Sequence, residues 1–380
     1  MRPARLAVPA LVASALLALG STTATAAASD QSDAKKGAQT GAQTGAKDAR
    51  TLSLTATSRD DVALAGASTA AAAAALTTAR LSGADRYATS VAISKAHFAP
   101  PQEYVIVASG QNFPDALGAG PFGALVQAPL LLVPQTGKLP SSVAAELKRL
   151  KTKDVIVVGG PGSVSDGMVR QIEAQSTSGL SYQFAGANRY DTAAQLTDVF
   201  EVPLTDVPVY LSSGTTFPDA LGGGAAAALD GGFLLLTAPT KLPAETATAL
   251  RRVKPSNVVV LGGTGAISGS VLTAVRNVVG SGVPVTRIGG TDRYDTAAKV
   301  SAATLTSANE VFLANGLQYP DALSGSAVAP AFGGRPVLLT RKDCVPAATR
   351  AEIARLGATK ITALGGAAMV SDAALKLKAC

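Results

Sequence analysis

From about residue 80 onward the chain alternates short apolar runs with longer stretches whose apolar positions recur at helical spacing. Tyr104–Ser109, Leu130–Val133 and Asp154–Val158 are too short for helices and rich in branched side chains, so they read as strands buried on both faces. The segments between them carry helix signals. Asp85 can cap a helix running to about Phe98, with Val91 and small alanines facing inward. Pro114 can open one reaching about Val126, and a third covers Pro140–Leu150. Gly159-Gly160-Pro161-Gly162 turns into a fourth, capped near Ser165 with Asp166 in its first turn. Strands alternating with helices predict a parallel sheet covered on both sides.

The pattern then returns twice. Leu81-Ser82-Gly83-Ala84-Asp85-Arg86-Tyr87 recurs as Phe184-Ala185-Gly186-Ala187-Asn188-Arg189-Tyr190 and as Ile288-Gly289-Gly290-Thr291-Asp292-Arg293-Tyr294. Phe113-Pro114-Asp115-Ala116-Leu117 recurs from Phe217 and from Tyr319. Val158-Gly159-Gly160 recurs from Leu261 and from Leu364. Three blocks in one order, at spacings of 102 to 104 residues, define three tandem units over 80–180, 181–284 and 285–380. The expected fold is α/β: three tandem Rossmann- or flavodoxin-like modules with parallel sheets.

These blocks, with the Pro-Leu-Leu-Leu run at Pro129–Leu132, resemble the cell wall binding repeat 2 family. The resemblance covers about residues 80–380. It implies that the three modules are arranged as a non-catalytic pseudo-trimer, which holds an exported protein non-covalently on the Gram-positive wall through an anionic secondary polymer, teichoic-acid-like or another polysaccharide. The apolar run becomes Phe233-Leu234-Leu235-Leu236 and then Pro336-Val337-Leu338-Leu339, so three polymer sites need not be equivalent. Modification of a separate wall hydrolase and a surface-layer or adhesive scaffold are the alternative roles. No cofactor is expected.

Composition narrows the chemistry. Among 380 residues there are one histidine and two cysteines, too few for zinc sites that need several such ligands. A serine triad would have to use His97, whose counterparts by repeat offset are Phe200 and Thr304. Arg2 and Arg5 precede the apolar run Leu6–Leu19, and Ala24-Thr25-Ala26 follows, the layout of a signal peptide over 1–26. Fourteen residues at about 1.5 Å each reach roughly 21 Å, short of a bilayer core of about 30 Å, so no transmembrane segment is expected. Residues 27–79 are rich in Ala, Gly and Thr and read as a flexible linker. Loss of the leader lowers the net charge from +7 to +5, all of it from residue 80 onward. That surplus favours an anionic partner, but without basic runs or interleaved aromatics it does not point to nucleic acid.

The recurrent arginines are the most informative candidates. Arg86, Arg189 and Arg293 fall in the first turn of a predicted helix, where the dipole disfavours a cation by about 0.3–1 kcal/mol. Either they pair across module interfaces with Asp115, Asp219 and Asp321, or they contact an anionic ligand; a guanidinium suits both. Each aspartate also suits its helix start. Asn112, Lys138 and Lys241 are further ligand-binding candidates. Cys344 takes the lysine position in the third unit and, in an exported chain, is expected to pair with Cys380; two free thiols are the alternative.

Overall fold

The computed structural model describes residues 76–199, 205–330 and 334–380. The leader and all but the last residues of the linker segment lie outside the described residues. Three parallel four-stranded sheets alternate with helices. The first holds β2 (Tyr104–Ser109), β3 (Leu130–Val133), β4 (Asp154–Val158) and β5 (Ser181–Phe184) in the order β3-β2-β4-β5. The second holds β6 (Val209–Ser213), β7 (Phe233–Thr237), β8 (Val258–Leu261) and β9 (Val285–Ile288), ordered β7-β6-β8-β9. The third joins β10 (Glu310–Asn315), β11 (Val337–Thr340) and β12 (Lys360–Leu364) to β1 (Thr77–Leu81), ordered β1-β12-β10-β11.

The fourth strand of each sheet therefore opens the next sequence repeat. The third sheet takes its fourth strand from the front of the fold, with Thr77 beside Lys360 and Leu81 beside Leu364. The repeat unit and the packed unit are offset by one strand, and β1 begins at Thr77, inside the stretch read from sequence as linker. These edge strands escape the apolar-run criterion because they are short and half polar. A side chain on each locks it in place: Arg80, Gln183 and Arg287 donate to the carbonyls of Gly365, Gly159 and Gly262 at 2.9, 3.0 and 2.7 Å.

The helices follow the predicted starts. In the first repeat they are α1 (Arg86–His97), α2 (Phe113–Ala116), α3 (Ala119–Leu125), α4 (Ser141–Arg149) and α5 (Asp166–Glu173). The second has α6 (Arg189–Gln195), α7 (Pro218–Leu229), α8 (Ala244–Val253) and α9 (Gly269–Val279). The third has α10 (Arg293–Thr304), α11 (Pro320–Ser326), α12 (Ala347–Leu356) and α13 (Asp372–Leu375). Asp85, Asn188 and Asp292 cap their helices through side-chain oxygens. The single helix expected from Pro114 to Val126 is instead α2 and α3. Pro121 has no N–H for the Leu117 carbonyl, whereas α7, without an internal proline, runs unbroken.

α3, α7 and α11 pack on one another at the centre. Their small residues set how closely they approach: a methyl on Gly120 would overlap Ser326 Oγ, and Ala327 sits against Gly123. The largest apolar cluster runs continuously through all three repeats, so the modules share one core. Away from the axis, the fully buried Glu146 accepts from Ser94 and Arg149 at 2.6 and 2.7 Å, and Glu352 repeats this with Ser301 and Arg355.

Candidate functional site

The site grows from the turn that follows each central strand. Ser109 Oγ, Ser213 Oγ and Asn315 Oδ1 each accept the backbone N–H two residues ahead, at 3.2, 3.3 and 2.8 Å. The intervening Gly110, Gly214 and Gly316 lie under the Arg-Tyr block. A Cβ on them would stand 2.9, 2.6 and 2.7 Å from Cε1 of Tyr87, Tyr190 and Tyr294. Arg86 Nη1 donates to the Gly110 carbonyl, Arg189 Nη1 to Gly214 at 2.6 Å and Arg293 Nη1 to Gly316 at 2.8 Å. These charged hydrogen bonds offset the unfavourable helix-start position.

Two of the aspartates lie across a junction from an arginine. Asp219 of the second repeat faces Arg293 of the third, and Asp321 of the third faces Arg86 of the first. Among the described residues these groups form no ion pair within 4 Å, so the interaction is electrostatic across a gap. Burial pushes the Asp321 carboxyl up to about 6, the Arg86 charge working against it. Burial likewise raises Asp219, opposed by the Thr296 hydroxyl and Arg293. Asp115 accepts from Ser163 Oγ of its own repeat at 2.6 Å.

The Gly-Gly turn has a structural cause at its first position. Gly159, Gly262 and Gly365 have φ of +115°, +90° and +102°, and a methyl on Gly262 or Gly365 would overlap Oδ2 of Asp219 or Asp321. Aspartate and Gly-Gly recur together because the carboxylate packs on the turn.

Sequence reasoning missed what lies at the centre. Phe113, Phe217 and Tyr319 form a triangle with ring centroids 5.4, 5.7 and 5.7 Å apart, which marks the pseudo-threefold axis. The signal was present, an aromatic preceding each Pro-Asp-Ala-Leu, but nothing in a linear chain brings the three together. Beside the triangle, at the junction of the second and third repeats, a cavity of about 480 Å³ is lined by Phe217, Asp219, Asp292, Arg293, Thr215, Thr291 and Thr296 among others. One cation, two carboxylates, hydroxyl-bearing residues and an aromatic face suit a polyhydroxylated ligand such as a sugar.

The other candidates stand apart. Asn112 is exposed before α2 and makes no side-chain cap. Lys138 lines a separate groove of about 490 Å³ between α4 and α5, and Lys241 is exposed. Cys344 and Cys380 are joined by a disulfide. His97 is half buried, its Nδ1 2.9 Å from the Ile93 carbonyl and its ring edge-on to Phe312; burial lowers its pKa. No His/Cys/Asp/Glu cluster able to hold a metal occurs among the described residues.

Three α/β modules closed about one axis, with a cavity at the junction of the second and third, define a repeat-built binding platform. The family profile Cell wall binding domain 2 (CWB2) matches residues 80–169, 183–272 and 287–375, and the chain belongs to that family. It is 35% identical over 251 residues to N-acetylmuramoyl-L-alanine amidase LytC of Bacillus subtilis (strain 168), covering 66% of this chain and 48% of that protein. It is 27% identical over 271 residues to the amidase enhancer of the same organism, covering 71% of this chain and 36% of that protein. The chain thus spans less than half the length of either relative. Two solved structures share its fold, Cwp6 and Cwp8 from Clostridium difficile. Their TM-scores are 0.72 and 0.69 at 23% and 24% identity, over 80% and 78% of this chain and 48% and 50% of theirs. Membership of this family places the chain at the cell wall or surface, and no described helix is long and apolar enough to cross a membrane.

Proposed function

We propose that the chain is an exported, non-catalytic protein that attaches non-covalently to an anionic secondary polymer of a Gram-positive wall. Residues 1–26 serve as leader, 27–79 mainly as tether, and the three repeats as the attachment platform. The observation that carries this reading is the cavity at the second junction, where Arg293 opens onto threonine hydroxyls beside the aromatic triangle. Arg86, Arg189 and Arg293 recur at equivalent junctions, which a polymer of repeating charge can span. The positive surplus beyond residue 80 acts in the same direction.

A second role, modulation of a separate wall hydrolase, is favoured by similarity to the amidase enhancer and to an amidase. The two readings are compatible, since attachment can place the protein beside such an enzyme.

Co-sedimentation with purified wall sacculi tests the polymer. Intact sacculi should retain the protein, and sacculi stripped of anionic polymers by hydrofluoric acid should not. Arg293→Ala should reduce retention of the folded protein about tenfold. Undiminished binding to stripped sacculi would overturn the reading.

A further inference from the structure

Charge is unevenly shared among the repeats. Residues 80–180 hold nine Lys/Arg against seven Asp/Glu, residues 181–284 six against seven, and residues 285–380 eleven against seven. The loop after the second strand of each sheet shows where part of the excess sits. Gln135, Pro239 and Lys342 are equivalent, because their carbonyls accept from Ser165, Ser268 and Ser371 at 2.9, 2.7 and 2.8 Å. The first two loops read Pro134-Gln135 and Ala238-Pro239; the third reads Arg341-Lys342, both exposed.

The disulfide brings more cations to the same corner. Cys344 is bonded to Cys380, Val345 pairs with Ala379, and the Val345 N–H donates to the Lys378 carbonyl at 2.7 Å. The segment carrying Lys376 and Lys378 is thereby fixed against the Arg341–Cys344 loop, and both lysines are exposed. None of these four cations forms an ion pair among the described residues. The nearby acids are Asp343, which is exposed, and Asp372, which is engaged by Arg80 at 3.0 Å. The Arg341 guanidinium stacks over the ring of Tyr294 at 5.9 Å, and Tyr294 adjoins Arg293 of the junction cavity.

We infer that the disulfide-clamped corner of the third repeat, Arg341, Lys342, Lys376 and Lys378, is a second polyanion contact that extends the junction cavity. It would hold the next charged units of a phosphate- or carboxylate-bearing polymer seated at Arg293. This rests on the polymer reading above and assigns it a specific surface. Clamping matters because a cation already fixed on a rigid corner loses less conformational freedom on binding than one on a free segment.

The full chain with Arg341, Lys342, Lys376 and Lys378 changed to Gln is compared with a control in which four exposed cations elsewhere, Lys95, Lys148, Lys151 and Arg251, are changed to Gln. The net charge is the same in both. Binding to intact sacculi is measured from 50 to 300 mM salt. The corner variant should bind at least tenfold more weakly at low salt and show a shallower salt dependence, because fewer counterions are released. The control should change less than twofold. Equal losses in the two variants, or wild-type binding by the corner variant, would overturn the corner while leaving the polymer reading intact. Wild-type protein that binds stripped sacculi equally well would overturn both.

Discussion

The junction between the second and third repeats and the junction between the third and first are built from the same parts but differ in their aromatic residue. Both place an arginine on a glycine carbonyl and a half-buried aspartate on a Gly-Gly turn. At the third–first junction, Tyr319 adds its hydroxyl to the Gly110 carbonyl at 2.9 Å, the acceptor already used by Arg86. At the second–third junction the equivalent aromatic is Phe217, which has no hydroxyl to offer, and a cavity remains beside Arg293. A single oxygen atom thus gives the third–first junction a second hydrogen bond to its glycine carbonyl that Phe217 cannot make. Recurrence of a motif fixes a scaffold; it does not make each copy a working site.

The largest expected effect tests what the junctions share. Gly262→Ala and Gly365→Ala each put a side chain at positive φ and against an aspartate, and each should cost about 3 kcal/mol in urea unfolding. Gly262→Ala should also weaken sacculus retention of the folded fraction more than Gly365→Ala does, because the aspartate it disturbs lines the cavity beside Arg293. Equal loss of retention would erase the distinction between the junctions.

Next in size is a pH effect at the third–first junction. The folded Asp321 carboxyl is raised to about 6, above its ordinary value of 3.8, so the native state holds this proton more tightly than the unfolded chain. The group's contribution to stability is therefore greatest below about pH 4 and declines as pH rises to about 6. Asp321→Asn removes that decline, so its stability relative to wild type should improve by about 2 kcal/mol between pH 4 and pH 7.5, read from unfolding at both values. No change in the difference would mean that Asp321 is not buried as a charge.

The smallest effect tests the oxygen itself. Tyr319→Phe should cost about 1 kcal/mol, one hydrogen bond to a carbonyl that keeps Arg86, and lower the melting temperature by about 2–4 °C. Its ring should stay in the triangle, since Phe already fills the other two corners.

Much of this architecture was legible in the chain. Apolar runs marked the nine central strands, and capping residues and prolines marked the helix starts. The triplicated blocks predicted three tandem modules, and the family resemblance implied that they close into a pseudo-trimer. The edge strands β1, β5 and β9 were not legible, because half-polar segments of four or five residues resemble loops until a neighbouring ladder supplies hydrogen bonds. Nor was the handing of each to the preceding sheet. At the site, the chain singled out the arginines, and the dipole argument showed that helix stability alone did not explain them. It did not show that their acceptors would be glycine carbonyls about two dozen residues away.

By itself, then, the sequence determined everything governed by local periodicity: element type, helix caps, the repeat and the residues worth watching. Tertiary structure alone decided which aromatics meet at the axis, where the cavity beside Arg293 lies and where the cations gather. Those outcomes depend on contacts between residues 36 or more positions apart, which local periodicity does not encode. At the centre, the close approach of α3, α7 and α11 holds the three separate segments together.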